Sequence, residues 1–116
     1  WLAHYEFGLD ERPFVFSETP FADHDPQSVN YWLEVWCRTY AHVFSLSLPD
    51  IYFICYERLC SDYEHVWPAV CRVAGIDPAP EQPSFTRRTY PLPDNTDSRL
   101  LARANDLYNT LLKTSL

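Results

Sequence analysis

The residues best suited to hold an anion lie together in the stretch Thr86-Arg87-Arg88-Thr89. Arg87 and Arg88 are the only adjacent basic pair in a chain whose formal net charge is −7. A guanidinium presents a planar fork of N–H donors that matches two oxygens of a phosphate, and the flanking threonine hydroxyls add further donors. The stretch therefore predicts a phosphate clamp. The alternative is that both arginines are solvated and balance nearby acids.

Two other polar features are interpreted as structural. Glu57 follows the apolar run 51–55 after one residue, Tyr56, and its carboxylate is expected to accept hydrogen bonds from backbone donors or to pair with an arginine. Asp23-His24-Asp25 contains ligands that hard metals prefer, but Pro26 follows, so the triplet predicts a solvated turn leading into a helix cap. We therefore assign no catalytic residue and no metal ligand.

Composition limits the class of partner. A chain of 116 residues that is 47% hydrophobic and 16% aromatic is expected to form one domain with a buried core. The negative net charge argues against nucleic acid and anionic membrane surfaces, because both need clustered Lys and Arg. No apolar run approaches the roughly 18 residues of a membrane span. Four cysteines without a C-x-x-C pair are typical of reduced thiols, which favours a cytoplasmic protein.

Hydrophobic periodicity predicts the elements that position these residues. The first helix carries apolar residues at i, i+3, i+4 and i+7, which places Glu34, Arg38 and His42 on its opposite, solvent-facing side. The run before Tyr56 is short, β-branched and aromatic, which is typical of a buried strand. The predicted order is an irregular segment (1–27), a helix (28–47), a strand (51–56), a helix (61–75), a Pro-rich loop on the cofactor side (76–96) and a helix (97–114).

A single convincing strand cannot form a sheet alone. The chain is therefore predicted to be the C-terminal half of a larger α/β domain, with the missing half before Trp1. The expected core comprises Trp32, Trp36, Ile54, Trp67, Val70, Leu107 and Leu111. A competing interpretation is a non-catalytic helical interaction module that binds a partner through its exposed helical faces and an unpaired strand edge.

Three motifs resemble sulfotransferases that use 3′-phosphoadenosine 5′-phosphosulfate. Tyr56, Glu57, Leu59 and Gly75 match a Tyr-Glu-x-Leu strand end and the Gly that closes the next helix. Arg88, Thr89, Tyr90 and Pro91 match Arg-x-Tyr-Pro in the loop before the final helix, where Thr86 and Arg87 replace a Lys and a Gly. The stretch 104–112 is similar to that family's terminal helix. The similarity spans residues 28–112.

The resemblance implies both a fold and a function. The fold would be the C-terminal portion of a P-loop-type, three-layer parallel-sheet domain, here mostly helical with one or two strands. Thr86, Arg87, Arg88 and Thr89 would contact the nucleotide, and no metal is implied. The function would be transfer of a sulfuryl group to a hydroxyl or amine of a small-molecule or glycan acceptor. The phosphosulfate loop and the catalytic base would lie in the missing half, so this segment alone is not expected to be active.

Overall fold

The computed structural model describes residues 14–16, 18–23, 25–78 and 85–116. Four helices occur there: α1 (Val29–Ser45), α2 (Tyr56–Ser61), α3 (Tyr63–Ala74) and α4 (Ser98–Thr114). No strand is present in these ranges, and none of these helices is long and apolar enough to cross a membrane. The predicted α/β class, its three-layer parallel sheet and its P-loop-like description are therefore wrong, because the regular secondary structure of this part of the chain is entirely helical.

The predicted strand 51–56 is not formed, and residues 51–55 lie in neither a helix nor a strand. Cys55 has extended backbone angles, φ −84° and ψ 114°, and α2 begins at the next residue. The carbonyl of Phe53 accepts a hydrogen bond from the backbone N–H of Leu116 at 2.9 Å, and no ladder of such bonds forms within the described ranges. A strand is stabilised by a ladder with a neighbour. The prediction of a strand at 51–56 is therefore wrong: residues 51–55 belong to no helix or strand, and Tyr56 is already part of α2.

Side chains alternate along this extended segment. Cys55 is buried, whereas Tyr52 and Ile54 are 49% and 48% exposed. Successive side chains of an extended chain point to opposite sides, so one side packs inward and the other faces solvent. Ile54 was expected in the core, and that expectation is wrong.

The chain forms two compact units. Unit 1 comprises Trp1–Ser47 and Leu92–Tyr108, and unit 2 comprises Leu48–Pro91 and Asn109–Leu116. Unit 1 has a small core of Tyr31, Glu34, Cys37 and Ala104. Unit 2 has a core of Cys55, Leu59, Val66, Cys71 and Leu111.

Helix α1 buries a different face from the one predicted. It begins after Ser28, whose hydroxyl accepts a hydrogen bond from the backbone N–H of Asn30. Its three buried residues are Tyr31, Glu34 and Cys37, which recur every three positions. The predicted stripe through Trp32 and Trp36 is only half-buried.

Glu34 is the one buried charged residue among the described parts of the chain, with 7% of its surface exposed. Its Oε2 accepts a hydrogen bond from the backbone N–H of Ala22 at 2.9 Å. Its Oε1 pairs with the Nη2 of Arg38, one helical turn away, at 2.5 Å. Both carboxylate oxygens thus have partners, which offsets the cost of removing the charge from water.

Arg38 joins this carboxylate to the segment that precedes α1. Its guanidinium also donates to the carbonyl oxygens of Thr19 at 2.5 Å and Pro20 at 2.7 Å. It lies 4.3 Å from the ring centroid of Phe21, a cation–π distance. One side chain therefore holds residues 19–22 against α1.

We expect Arg38→Met to destabilise the protein by about 3–5 kcal/mol, because it leaves the Glu34 carboxylate buried without its charged partner. The measurement is urea unfolding, with Arg72→Met, an exposed arginine of α3, as the matched control. The double variant Arg38→Met with Glu34→Gln should lose less than the sum of the single changes. An Arg38→Met midpoint equal to that of the control would contradict the role assigned to this pair.

The predicted helix 61–75 corresponds to the last residue of α2 and all of α3. The two helices are separated at Asp62, whose φ of −140° and ψ of 47° are not helical. Gly75 ends α3 in the left-handed conformation at φ +66°, and the N–H of Ile76 returns to the carbonyl of Cys71 at 3.0 Å. This is the usual way in which a glycine stops a helix.

Asp62 also contacts a histidine in the first turn of α3. Its Oδ1 lies 2.5 Å from the Nδ1 of His65, and this hydrogen bond raises the pKa of His65 above its usual 6.5. The folded state therefore favours protonated His65. The resulting stability is present below about pH 6.5 and is lost as the pH rises through the folded-state pKa.

We expect Asp62→Asn to lower the pKa of His65 towards 6.5, as measured by an NMR titration of the imidazole protons. Glu64→Gln is the matched control, because the charge of Glu64 is the last of the contributions to this pKa and should shift it less. An unchanged His65 pKa in Asp62→Asn would show that this contact is absent in solution.

Candidate functional site

The four predicted site residues lie in the irregular segment that precedes α4. Thr86, Arg87, Arg88 and Thr89 are all exposed, whereas the neighbouring Phe85 is half-buried. Residues 79–84 of the predicted loop 76–96 lie outside the described ranges. The four side chains are therefore presented on a surface next to one anchored aromatic residue.

A hydrogen bond fastens this segment to the first residue of α2. The hydroxyl of Tyr56 donates to the carbonyl oxygen of Thr86 at 3.3 Å. The Tyr56 and Phe85 rings meet edge to face, with centroids 6.3 Å apart and planes at 89°. Two sequence elements thirty positions apart thus come together: the Tyr-Glu element and the arginine-containing loop.

Phe85 also packs on α3. Its ring centroid lies 5.7 Å from that of Tyr63 and 6.3 Å from that of Trp67. Tyr63 and Trp67 are one helical turn apart and stack on each other at 5.9 Å. We call Tyr56, Tyr63, Trp67 and Phe85 the aromatic clamp. Ring pairs at these distances are favourable beyond the area they bury.

The aromatic clamp was not predicted from the sequence, although a signal for it exists. Tyr63 and Trp67 stand at i, i+4 on one helix, so their rings must share a face. Phe85 directly precedes the polar stretch that was singled out. The Tyr63 hydroxyl and the Trp67 indole N–H are buried in the clamp and find no hydrogen-bond partner in the described ranges. Ring packing must outweigh that loss for the cluster to form.

Arg88 is close enough to Tyr56 for its charge to act on the phenol. A hydrogen bond with Cys60 and partial burial raise the pKa of Tyr56 above its usual 10.0, and the positive charge of Arg88 opposes this increase. The hydroxyl therefore stays protonated at neutral pH, as its role as donor to Thr86 requires.

The remaining predicted residues differ in whether their side chains already have partners within the described residues. Arg87 and Thr89 are exposed and take part in no ion pair or hydrogen bond within the described residues. Glu57 is half-buried and accepts a hydrogen bond from the Cys55 thiol at 3.3 Å. Arg87 and Arg88 can therefore turn their N–H donors towards an anion, whereas the carboxylate of Glu57 is held by the protein itself.

The acidic triplet makes local backbone contacts where it is described; His24 lies outside those ranges. The side chain of Asp23 accepts from the N–H of Asp25, and the side chain of Asp25 accepts from the N–H of Gln27. Such contacts are typical of Asx turns. No group of three potential metal ligands occurs among the residues that were placed.

Comparisons with protein-family models, curated proteins and solved structures found no match for this chain. They therefore give no support to its description as a sulfotransferase, which rests on the quoted motifs alone.

We expect Phe85→Ala to free the arginine-containing segment. Loss of ring contacts worth about 1.4 kcal/mol should raise the open population, and with it trypsin cleavage after Arg87 and Arg88, about tenfold. Cleavage after Arg103, within α4, should keep its wild-type rate and serves as the internal reference. Phe14→Ala, which removes an exposed ring in unit 1, is the matched control. Equal cleavage rates in both variants would rule out the anchoring role of Phe85.

Proposed function

We propose that the chain is the C-terminal part of a sulfotransferase that moves a sulfuryl group from 3′-phosphoadenosine 5′-phosphosulfate to an acceptor hydroxyl or amine. The observation that carries the proposal is the hydrogen bond from Tyr56 to the carbonyl of Thr86. It joins the two sequence elements on which the resemblance depends, and nothing in the sequence pattern required them to meet. The proposal concerns function only and does not include the α/β fold.

In this proposal Arg88 contacts a phosphate of the nucleotide. Arg87 provides a second guanidinium, and the hydroxyls of Thr86 and Thr89 provide further donors. Charge-assisted hydrogen bonds from arginine to phosphate are short and roughly twice as strong as neutral ones. Positive groups also stabilise charge that develops on a departing phosphate during transfer. The four residues would thus supply one wall of the nucleotide site.

Tyr56 and Phe85 support that wall without contacting the phosphate. They fix the backbone at Thr86 and the residue before it. Ordering a loop on binding costs free energy, and a loop that is already fastened avoids part of that cost. The two residues are therefore positioning residues.

The rest of the proposal combines the same resemblance with the composition of the chain. The phosphosulfate loop and the catalytic base belong to a preceding half of the domain. The acceptor is a small molecule or a glycan, and the protein acts in the cytoplasm. Neither a metal ion nor nucleic acid takes part.

A second candidate is a non-catalytic interaction module. Its support is the extended segment 51–55, where Tyr52 and Ile54 are half-exposed and make no backbone hydrogen bond with the described residues. An unpaired extended backbone with apolar side chains is a template for strand addition by another chain. This candidate requires no nucleotide, so nucleotide binding separates the two.

The test is calorimetric titration of 3′-phosphoadenosine 5′-phosphate into the full-length wild-type protein and its Arg88→Ala variant. Loss of one charge-assisted contact, about 1.5–3 kcal/mol, should weaken binding by roughly ten- to a hundredfold. Adenosine, which lacks the phosphates, should bind both proteins almost equally. Arg72→Ala removes an exposed arginine from α3 and should leave the bisphosphate affinity at the wild-type value.

Two results would count against the proposal. Equal affinity of wild type and Arg88→Ala for the bisphosphate would remove Arg88 from the site. Absence of any binding by the wild type would favour the interaction module instead.

A further inference from the structure

Unit 1 contains a cavity of about 420 Å³ on the side of α1 that carries Arg38 and His42. Its polar walls are formed by Thr19, Arg38, His42, Ser45 and Arg103. Pockets of roughly 300–1,000 Å³ are the usual size for small-molecule sites in proteins. The cavity shares no residue with the arginine-containing segment, which lies in unit 2.

The charge around this cavity is opposite to that of the chain. Among the described residues, Arg38 and Arg103 line it and no carboxylate does, although the protein contains 16 acidic residues and only nine lysines and arginines. A neighbouring cavity of about 540 Å³, also in unit 1, shares Arg103 but is lined by Asp23, Glu34 and Asp97 as well. The smaller cavity is therefore the one that suits an anion.

The two arginines of the smaller cavity differ in how many hydrogen-bond and ion-pair partners they already have. Arg38 is bound to Glu34 and to two backbone carbonyls. Arg103 has no ion pair within the described ranges, and its charge acts on the buried Cys37 thiol, whose pKa burial raises and Arg103 lowers. A guanidinium without a carboxylate partner retains its donor fork for an oxyanion. Arg103 is therefore the anchor that the cavity offers.

An aromatic wall stands beside these donors. The ring of Phe16 stacks on the imidazole of His42, with centroids 4.1 Å apart and planes at 15°, and both residues line the cavity. The ring of Phe14 lies 6.0 Å from that of Phe16. A compact apolar group can bury surface against this stack while a charged group on the same molecule reaches Arg103.

We propose that this cavity binds a small organic anion, in which Arg103 holds the oxygens of a carboxylate, sulfate or phosphate ester and Phe16 packs against an apolar body. The inference does not depend on the sulfotransferase proposal, because it uses other residues in another unit. A protein without nucleotide binding retains this site, and a protein without this site retains the nucleotide contact of Arg88.

The test uses benzoate as the probe in an NMR titration of the protein. Benzoate joins a carboxylate to an apolar ring and should cause saturable shifts at the side chains of Arg103 and His42. Arg103→Gln should weaken benzoate binding at least tenfold, since a charge-assisted bidentate contact is lost. Arg99→Gln is the matched control: it makes the same charge change one turn away on α4, at a residue that lines only the larger cavity. Its benzoate affinity should stay within about twofold of the wild type, because the screened charge of Arg99 acts only weakly at that distance.

Three results would overturn the proposal. Benzyl alcohol binding as tightly as benzoate would show that the cavity selects the ring and not the charge. Equal losses of benzoate affinity in Arg99→Gln and Arg103→Gln would show that the effect comes from the change in net charge and not from a contact with Arg103. Absence of saturable benzoate binding at millimolar concentrations would show that there is no site. Arg103 is exposed, and circular dichroism checks that both variants remain folded.

Discussion

The buried ion pair of Glu34 and Arg38 is the constraint on which unit 1 depends. A carboxylate inside a small domain is tolerated only when every oxygen has a partner, and here the partners are the Ala22 N–H and the Arg38 guanidinium. Arg38 in turn ties down the carbonyls of Thr19 and Pro20. This irregular segment thus takes its position partly from the charge pair and partly from ring contacts with α1, and both cavities described above take part of their wall from it.

In unit 2 the arginine-containing segment is held by aromatic packing, whereas the irregular segment of unit 1 is held in part by an ion pair. The aromatic clamp fixes Phe85, and the Tyr56 hydroxyl fixes the next carbonyl. The position of these contacts matters for function, because Arg87 and Arg88 follow the anchored Thr86 and have no anchor of their own within the described ranges. Aromatic support beneath exposed, charged side chains positions their donors for an anion without burying them.

Hydrophobic periodicity in the sequence predicted where helices form better than it predicted which residues pack against them. The 3.6-residue repeat located α1 and α4, and Gly75 marked the end of α3, because these are local properties of the chain. The burial of Glu34 was unpredictable, since a Glu, Arg pair at i, i+4 normally faces solvent. The clamp was missed because Phe85 meets α3 across a long separation in sequence. The predicted strand was wrong because the same apolar run is compatible with a paired strand and with a segment outside any sheet. A strand forms only when a second strand is available to pair with it.

The segment 51–55 bears on both candidate functions in the same way. Its outward side chains, Tyr52 and Ile54, are too apolar to gain from solvent exposure. The backbone groups of Tyr52 and Ile54 make no hydrogen bond with the described residues. Both costs fall if another extended chain lies beside it, from a preceding part of the same protein or from a partner. The arginine-containing loop does not share this need, because its contacts with α2 and α3 are already made. Pairing of segment 51–55 with another extended chain and binding of an anion are thus separable properties of unit 2. Only anion binding indicates which chemical class of ligand the unit recognises.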